Sequence, residues 1–365
     1  MKKALLAKVL SAVVAGSIFL TACGSSGASS SSSSASESAT ASGTSHASAS
    51  ASDIDYPVRS INNIIPFGAG GGTDVWNRAV MSEMGTIMGQ TIVSSNMTGG
   101  SAGSIGVQYV WSAPHDGYTL CGTSETPLTI PIMTNSVQTS KDWKFFIAAG
   151  SPGVLCINKN SDYQNMADVV AALKSDPESV SIAGTTGGLW FAIAKLFEAY
   201  GNVPFKWVSY DGSSSAIKGC VSDEADCVVA SAGEVVDYVR AGDLIPLCVM
   251  NTESWEFPDY GEIPAVTESV PELKSYLPLN QMLGFMIPAD TDAAIVSYLE
   301  DVFHQAMATD TIKNFAEENI CEIYDLTGDD ASAFAADIES KLCWTLYDMG
   351  QATYSPEEFG IAKPQ

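Results

Sequence analysis

The sequence predicts an α/β fold with mostly parallel sheets, arranged as two α/β domains with a ligand cleft between them. Three observations lead there. From Tyr56 onward, apolar runs of strand length alternate with segments of helical apolar spacing. The chain from Asp53 to its end, about 310 residues, exceeds what one hydrophobic core usually holds. Loops rich in Gly, Ser and Thr recur between a strand and the helix after it.

In chain order, residues 1–22 read as a cleaved lipoprotein signal peptide. Lys2, Lys3 and Lys8 make a positive start, and residues 9–20 are an apolar stretch too short to span a membrane. The ending Leu20-Thr21-Ala22-Cys23 resembles a bacterial lipobox, with Cys23 the site of lipidation; the alternative is an ordinary signal peptide with a chance cysteine. Residues 23–55 are then a lipidated Cys and a Ser-rich tether. Such a coil has nothing to bury and reaches about 30 Å. The expected location is extracytoplasmic, anchored to the lipid bilayer, and the long serine-rich tether points to a Gram-positive cell surface.

Residues 60–66 read as a strand, and 73–88 as a helix with Trp76, Val80, Met84 and Ile87 on one face and Gly89 at its stop. Strands follow at 91–95 and 118–122, with a helix over 103–112 between them, halted by Pro114 and the His115-Asp116-Gly117 turn. The long apolar run 145–158 crosses between domains. A second set comprises helix 166–174, strand 179–183, helix 188–200, strand 205–209, helix 213–219, strand 226–230, helix 233–240 and strand 244–250. A returning strand at 283–288 and helices at 293–308, 311–318 and 329–349 complete the chain, the helices packing on the first domain.

The formal charge of −25 becomes −28 once the three leader lysines are lost, which argues against a nucleic-acid partner. Screening over about 8–10 Å still lets a local cradle hold an anion. Cys121, Cys156, Cys227 and Cys248 sit in apolar strand-like runs and read as small buried hydrophobes; Cys220 with Cys227, or Cys321 with Cys343, are the candidate disulfides. There is no C-x-x-C and there are three histidines, so no metal and no cofactor are expected.

Three loops share one chemistry: Gly68 to Asp74, Gly184 to Gly188, and Tyr210 to Ser215. Each brings bare backbone N–H groups to the positive end of a helix, which suits an anion or carboxylate. Gathered at the carboxyl ends of strands in two domains, they form a cleft; singly, each is a turn and an N-cap. Asp74 is either an early-helix acid or a partner for a ligand amine. Glu125, after a strand in Thr123-Ser124-Glu125, is either a solvated loop acid or a cleft group that prefers a cationic or amine-bearing ligand. Trp190 and Phe191 either wall the cleft or pack. The first loop has Thr73 where G-x-G-x-x-G needs its last Gly, and no loop ends as a P-loop does. Gly99-Gly100-Ser101-Ala102-Gly103 matches the nucleophile elbow, but a polar turn precedes it, and only His115 and His304 follow.

Taken together, an ordered set of motifs resembles the tripartite tricarboxylate transporter substrate-binding proteins, the Bug or TctC family. The set is Tyr56-Pro57, Ile64-Ile65-Pro66-Phe67 with Gly70-Gly71-Gly72-Thr73-Asp74, Gly89-Gln90, Asn96 with Gly99, Ile105-Gly106 and Pro114-His115-Asp116-Gly117-Tyr118-Thr119-Leu120. It continues through Tyr210-Asp211-Gly212, Val239-Arg240-Ala241-Gly242, Ile263-Pro264-Ala265-Val266-Thr267-Glu268, Gly284-Phe285 and Pro288-Ala289. Departures are Asn96-Met97-Thr98-Gly99, with an extra residue in 100–103, Ser213 for a second Gly, Leu189-Trp190 for smaller residues, and Glu125.

The resemblance implies a type II periplasmic-binding-protein fold, with residues 56–155 and 280–365 as domain 1 and 156–279 as domain 2. It implies a receptor, not an enzyme, that captures a small carboxylate (di- or tricarboxylate, amino acid or aromatic acid) for a membrane permease with large and small subunits. The expected ligand-binding residues are Phe67, Gly68, Ala69, Gly71, Gly72, Thr73 and Asp74; Thr123, Ser124 and Glu125; Thr185, Thr186, Gly187 and Gly188; and Asp211, Gly212 and Ser213. The alternatives are a receptor of the same fold signalling to a membrane sensor and a secreted esterase using Ser101.

Overall fold

The structure, a computed structural model, describes residues 54–364. The leader, Cys23 and the tether up to residue 53 lie outside the described residues.

The first half of the fold holds β1 (Ile61–Ile65), α1 (Gly72–Met88), β2 (Ile92–Asn96), α2 (Ser104–Trp111), β3 (Thr119–Ser124) and α3 (Ile130–Thr134). The chain leaves it along β4 (Trp143–Asn158). There follow α4 (Met166–Ser175), β5 (Ser181–Gly184), α5 (Leu189–Ala199), β6 (Lys206–Ser209), α6 (Ser213–Val221), β7 (Cys227–Ser231), α7 (Ala232–Arg240) and β8 (Leu244–Val249). A hairpin of β9 (Trp255–Phe257) and β10 (Gly261–Ile263) and the short α8 (Val266–Ser269) lead to β11 (Asn280–Pro288), which returns the chain. Then come α9 (Ala293–Met307), α10 (Asp310–Glu318), β12 (Glu322–Leu326) and α11 (Gly328–Asp348).

The strands run in the order β2-β1-β3-β11-β4-β7-β5-β6, with β12 and β8 also paired to β4. The first part of β4 pairs with β11 and β12, and residues 153–158 of β4 pair with β7 and β8. One long strand is therefore shared by both halves. The expectation of mostly parallel sheets holds only within each half, where β1 pairs with β2 and β3, and β5 with β6 and β7. The pairings of β4 and β11 are antiparallel. Helical crossovers make parallel neighbours, whereas an outgoing and a returning strand laid side by side run oppositely.

Helix α1 forms on its expected apolar stripe. Trp76, Val80 and Met84 are buried in one cluster with Phe146, Phe285 and Phe303. Phe146 and Phe285 stack at 4.2 Å between β4 and β11. Each such side chain contributes about 1.5–3 kcal/mol through burial. Helix α5 is apolar on nearly every side, from Leu189 to Phe197, and is accordingly enclosed in the core of the second half. The C-terminal helices divide: α9 residues join the α1 cluster, whereas Leu342, Cys343, Trp344 and Leu346 of α11 join the α5 cluster. Cys121, Cys156, Cys227 and Cys248 are buried, as their apolar surroundings indicated. The disulfide pairings are not formed: Cys220, Cys227, Cys321 and Cys343 are free thiols. Cys220 and Cys343 instead point to the carbonyls of Asp226 and Leu128 at 3.4 Å.

Asn77 fixes the start of α1 over the sheet. Its Nδ2 donates to the Thr73 and Gly284 carbonyls, both at 2.9 Å, tying the helix's first turn to β11. The glycine loop that precedes α1 is thereby set at the carboxyl end of β1.

Candidate functional site

The glycine loop is held from behind by Asp74. Its Oδ2 accepts the Gly70 N–H at 2.9 Å, and its Oδ1 accepts Arg78 Nε at 2.9 Å and Asn96 Nδ2 at 2.8 Å. Burial by itself raises the carboxyl's pKa, but the bonds from Arg78, Gly70 and Asn96 win and hold it below the usual carboxylate range. Asp74 thus sets the loop's shape and does not line the cavity in front of it.

That cavity is lined by Phe67, Gly68, Gly71, Gly72 and Thr73 of the first loop, Ser124 at the end of β3 and Glu125 after it, Thr185 after β5, and Gly212 and Ser213 at the start of α6. Segments far apart in sequence meet here. Ala69, Asp74, Thr123, Thr186, Gly187, Gly188 and Asp211, also expected in the site, do not line it. Thr123 is fully buried and bonds the Ser124 carbonyl. Thr186 is occupied by Ser209 Oγ at 2.7 Å and Trp207 Nε1 at 3.0 Å. The Gly187 carbonyl accepts Thr129 Oγ1 at 2.6 Å, a tie between the halves.

The enclosed space is about 30 Å³. A small-molecule site usually needs hundreds of cubic ångströms, so the loops must part to admit a ligand. They meet closely: a Cβ placed on Gly212 would lie 3.2 Å from the Gly68 nitrogen.

Glu125 is 2 % exposed, so it is not the solvated loop acid that its polar neighbours suggested. Its Oε2 accepts the Met282 N–H at 2.9 Å and its Oε1 accepts Thr126 Oγ1 at 3.1 Å. Burial pushes its pKa up to about 7 against these lowering bonds, and the nearby charge of Glu234 adds to the rise.

Four lining residues were not among those expected: Thr126, Trp190, Glu234 and Gln281. Trp190 stood as a choice between wall and core, and it is both. Glu234 closes a capping box on Ser231 and, from α7, reaches across to the Gly72 N–H at 2.7 Å. The spacing Ser231-x-x-Glu234 is the local signal that could have found it. Gln281 has no such signal, being the second of two polar residues, after Asn280, at the head of the otherwise apolar β11.

The Ser101 alternative lacks its machinery. His115 is bound to Asp290 at 2.5 Å and to the Trp111 carbonyl, and His304 to Asp325 at 2.8 Å and Thr327 at 2.9 Å. The Ser101 hydroxyl is buried with no hydrogen-bond partner, so no base activates it. Among the described residues no group of three or more His, Cys, Asp or Glu could hold a metal ion.

Residues 76–346 match the family described as "Tripartite tricarboxylate transporter family receptor", TctC. Protein BugT of Bordetella pertussis is 25% identical over 294 residues, covering 77% of this chain and 86% of BugT. Among solved structures, R. palustris Rpa4515 with adipate superposes with a TM-score of 0.74 at 21% identity, covering 82% of this chain and 99% of that one. MatC from Rhodopseudomonas palustris with bound malate gives 0.72 at 19% identity, covering 80% and 100%. At these identities the structural likeness speaks for the fold alone, the one shared by periplasmic binding proteins of the TctC/Bug type.

Proposed function

The chain belongs to the tripartite tricarboxylate transporter receptor family, and from that premise we propose that it captures a small carboxylate between the Gly68–Thr73 loop and the Thr185 and Ser213 loops. Members of this family are extracytoplasmic solute receptors, not enzymes. The observation that carries the reading is the convergence of three helix-opening, donor-rich loops on one closable cavity. The bound adipate and malate of the two structural neighbours lend the carboxylate class support.

On this reading, residues 56–155 with 280–365 and residues 156–279 are the two ligand-gripping domains, and β4 and β11 are their crossing strands. Closure is favoured because the ligand touches both sides. The captured solute passes to a permease of one large and one small subunit. Cys23 carries the lipid anchor, and the serine-rich segment gives the receptor reach. The relatives named above come from Gram-negative bacteria and lend the Gram-positive surface no support.

The test is mass spectrometry of small molecules that co-purify with the protein, followed by a thermal-shift screen of carboxylates. A ligand at 100 times its Kd adds about 2.7 kcal/mol to stability. Thr73→Ala, Thr185→Ala and Ser213→Ala should each weaken binding about fivefold or more, through loss of a hydroxyl hydrogen bond, and leave the fold intact. Unchanged affinity in all three removes the site assignment. A screen in which no carboxylate stabilises the protein removes the ligand class.

A further inference from the structure

The two walls of the cavity differ in hydrogen-bonding character. One wall is made of donors: the N-terminal turns of α1 at Thr73 and of α6 at Ser213, with the hydroxyls of Thr73, Thr185 and Ser213. The other is made of acceptors. Glu125, buried at 2 % exposure, keeps a lone pair on each carboxylate oxygen beyond its bonds to Met282 and Thr126, and Glu234 keeps one on Oε1 beyond its bond to the Gly72 N–H. Gln281 is 4 % exposed, and its Oε1 is buried with no hydrogen-bond partner. A Cβ placed on Gly72 would stand 2.9 Å from that oxygen, which locates it beside the glycine loop. Among the described residues no Lys, Arg or His lines the cavity.

A buried acceptor without a donor is rare in a native fold and calls for a partner. An ammonium group offers three donors and no acceptor, and it carries the charge that Glu125 and Glu234 lack opposite them. A second carboxylate in its place would be set against the charge of Glu234, and against that of Glu125 wherever Glu125 is ionised. We infer that the cleft takes a zwitterionic amino-carboxylate, its carboxylate on the Thr73, Thr185 and Ser213 wall and its ammonium on Glu125, Glu234 and the Gln281 oxygen. Glu125 and Gln281 are then the residues that set specificity within the ligand class. The inference rests on the carboxylate reading above and narrows it.

Calorimetric titration with matched pairs tests it: L-glutamate against glutarate, L-aspartate against succinate, 4-aminobutyrate against butyrate, with butylamine as an amine lacking a carboxylate. The amino member of at least one pair should bind tenfold or more tightly than its amine-free partner. Glu125→Gln and Gln281→Leu should each bring that ratio towards one. Where a melting curve shows that a variant has not folded, the wild-type ratios alone decide. Equal or tighter binding of the amine-free member in every pair that binds overturns the inference and leaves the carboxylate reading standing. Binding of butylamine with no binding of any carboxylate overturns that reading too, as does an absence of binding across the whole panel.

Discussion

Glu234 Oε1 accepts the N–H of Gly72 at 2.7 Å across 162 residues of sequence. The same carboxylate takes the Ser231 N–H and hydroxyl on its other oxygen, at 3.0 and 2.9 Å. A single side chain therefore caps α7 and pins the start of α1 to it. A charge-assisted bond of this kind is roughly twice as strong as a neutral one. Glu234→Gln should lower unfolding stability by about 1–2 kcal/mol through the cap and the cross-link together. It should also enlarge the radius of gyration of the ligand-free protein in X-ray scattering, since the closed arrangement loses a tie. Asp237, three residues on and with its side chain 90% exposed, is the control, and Asp237→Asn should change neither quantity. If Glu234→Gln matches that control, the contact does not hold the cleft.

The raised pKa of Glu125 gives the fold a pH signature. Its carboxyl titrates at about 7 in the folded protein against 4.5 for the ordinary group, chiefly because burial disfavours the charge. The unfolded chain gives up this proton first, so between those values the folded state binds more protons. Stability from this group accordingly falls as pH rises from about 4.5 to 7, by an amount on the order of 3 kcal/mol. Glu125→Gln keeps the shape and an oxygen for the Met282 N–H, and it removes the titration. The variant should gain stability relative to wild type on going from pH 5 to pH 8, measured by denaturant melts at each pH. A difference between the two proteins that does not change with pH would mean that Glu125 stays ionised in the fold.

Much of this site was legible because its parts are local. The apolar run into Ile65, the glycines, and the Trp76, Val80 and Met84 spacing are all neighbours in sequence, and α1 begins one residue from its expected start. The core position of α5 was likewise written in its own apolar residues. What was not legible is set by strands arriving from elsewhere. Glu125 sits among polar letters that look solvated, and it is buried because β11 returns beside β3 and gives it the Met282 N–H from 157 residues away. Gln281 enters the cavity on that same strand. The direction in which β4 and β11 pair is also a property of the chain path, which a strand's own periodicity does not carry.

Gly212 and Gly284 separate closure from folding. Gly212 has φ 176, extended backbone that any residue adopts, so alanine there brings no backbone strain. Its Cβ would stand 3.2 Å from the Gly68 nitrogen, tight enough to move the two loops apart by a few tenths of an ångström. Gly212→Ala should therefore weaken ligand binding about tenfold, or about 1.4 kcal/mol, with unfolding stability within about 0.5 kcal/mol of wild type. Gly284 lies in β11, between β3 and β4, where a Cβ would come within 2.1 Å of the Phe146 carbonyl oxygen. The oxygen is backbone and cannot swing away, so the strands must separate and take the Asn77 bond to Gly284 with them. Gly284→Ala should cost about 3 kcal/mol or more in denaturant unfolding. The comparison is decisive because both substitutions add the same single methyl group. Equal losses of stability would make the Gly212–Gly68 approach part of the fold's packing, and a loss of affinity confined to Gly212→Ala makes it the point at which the cleft shuts.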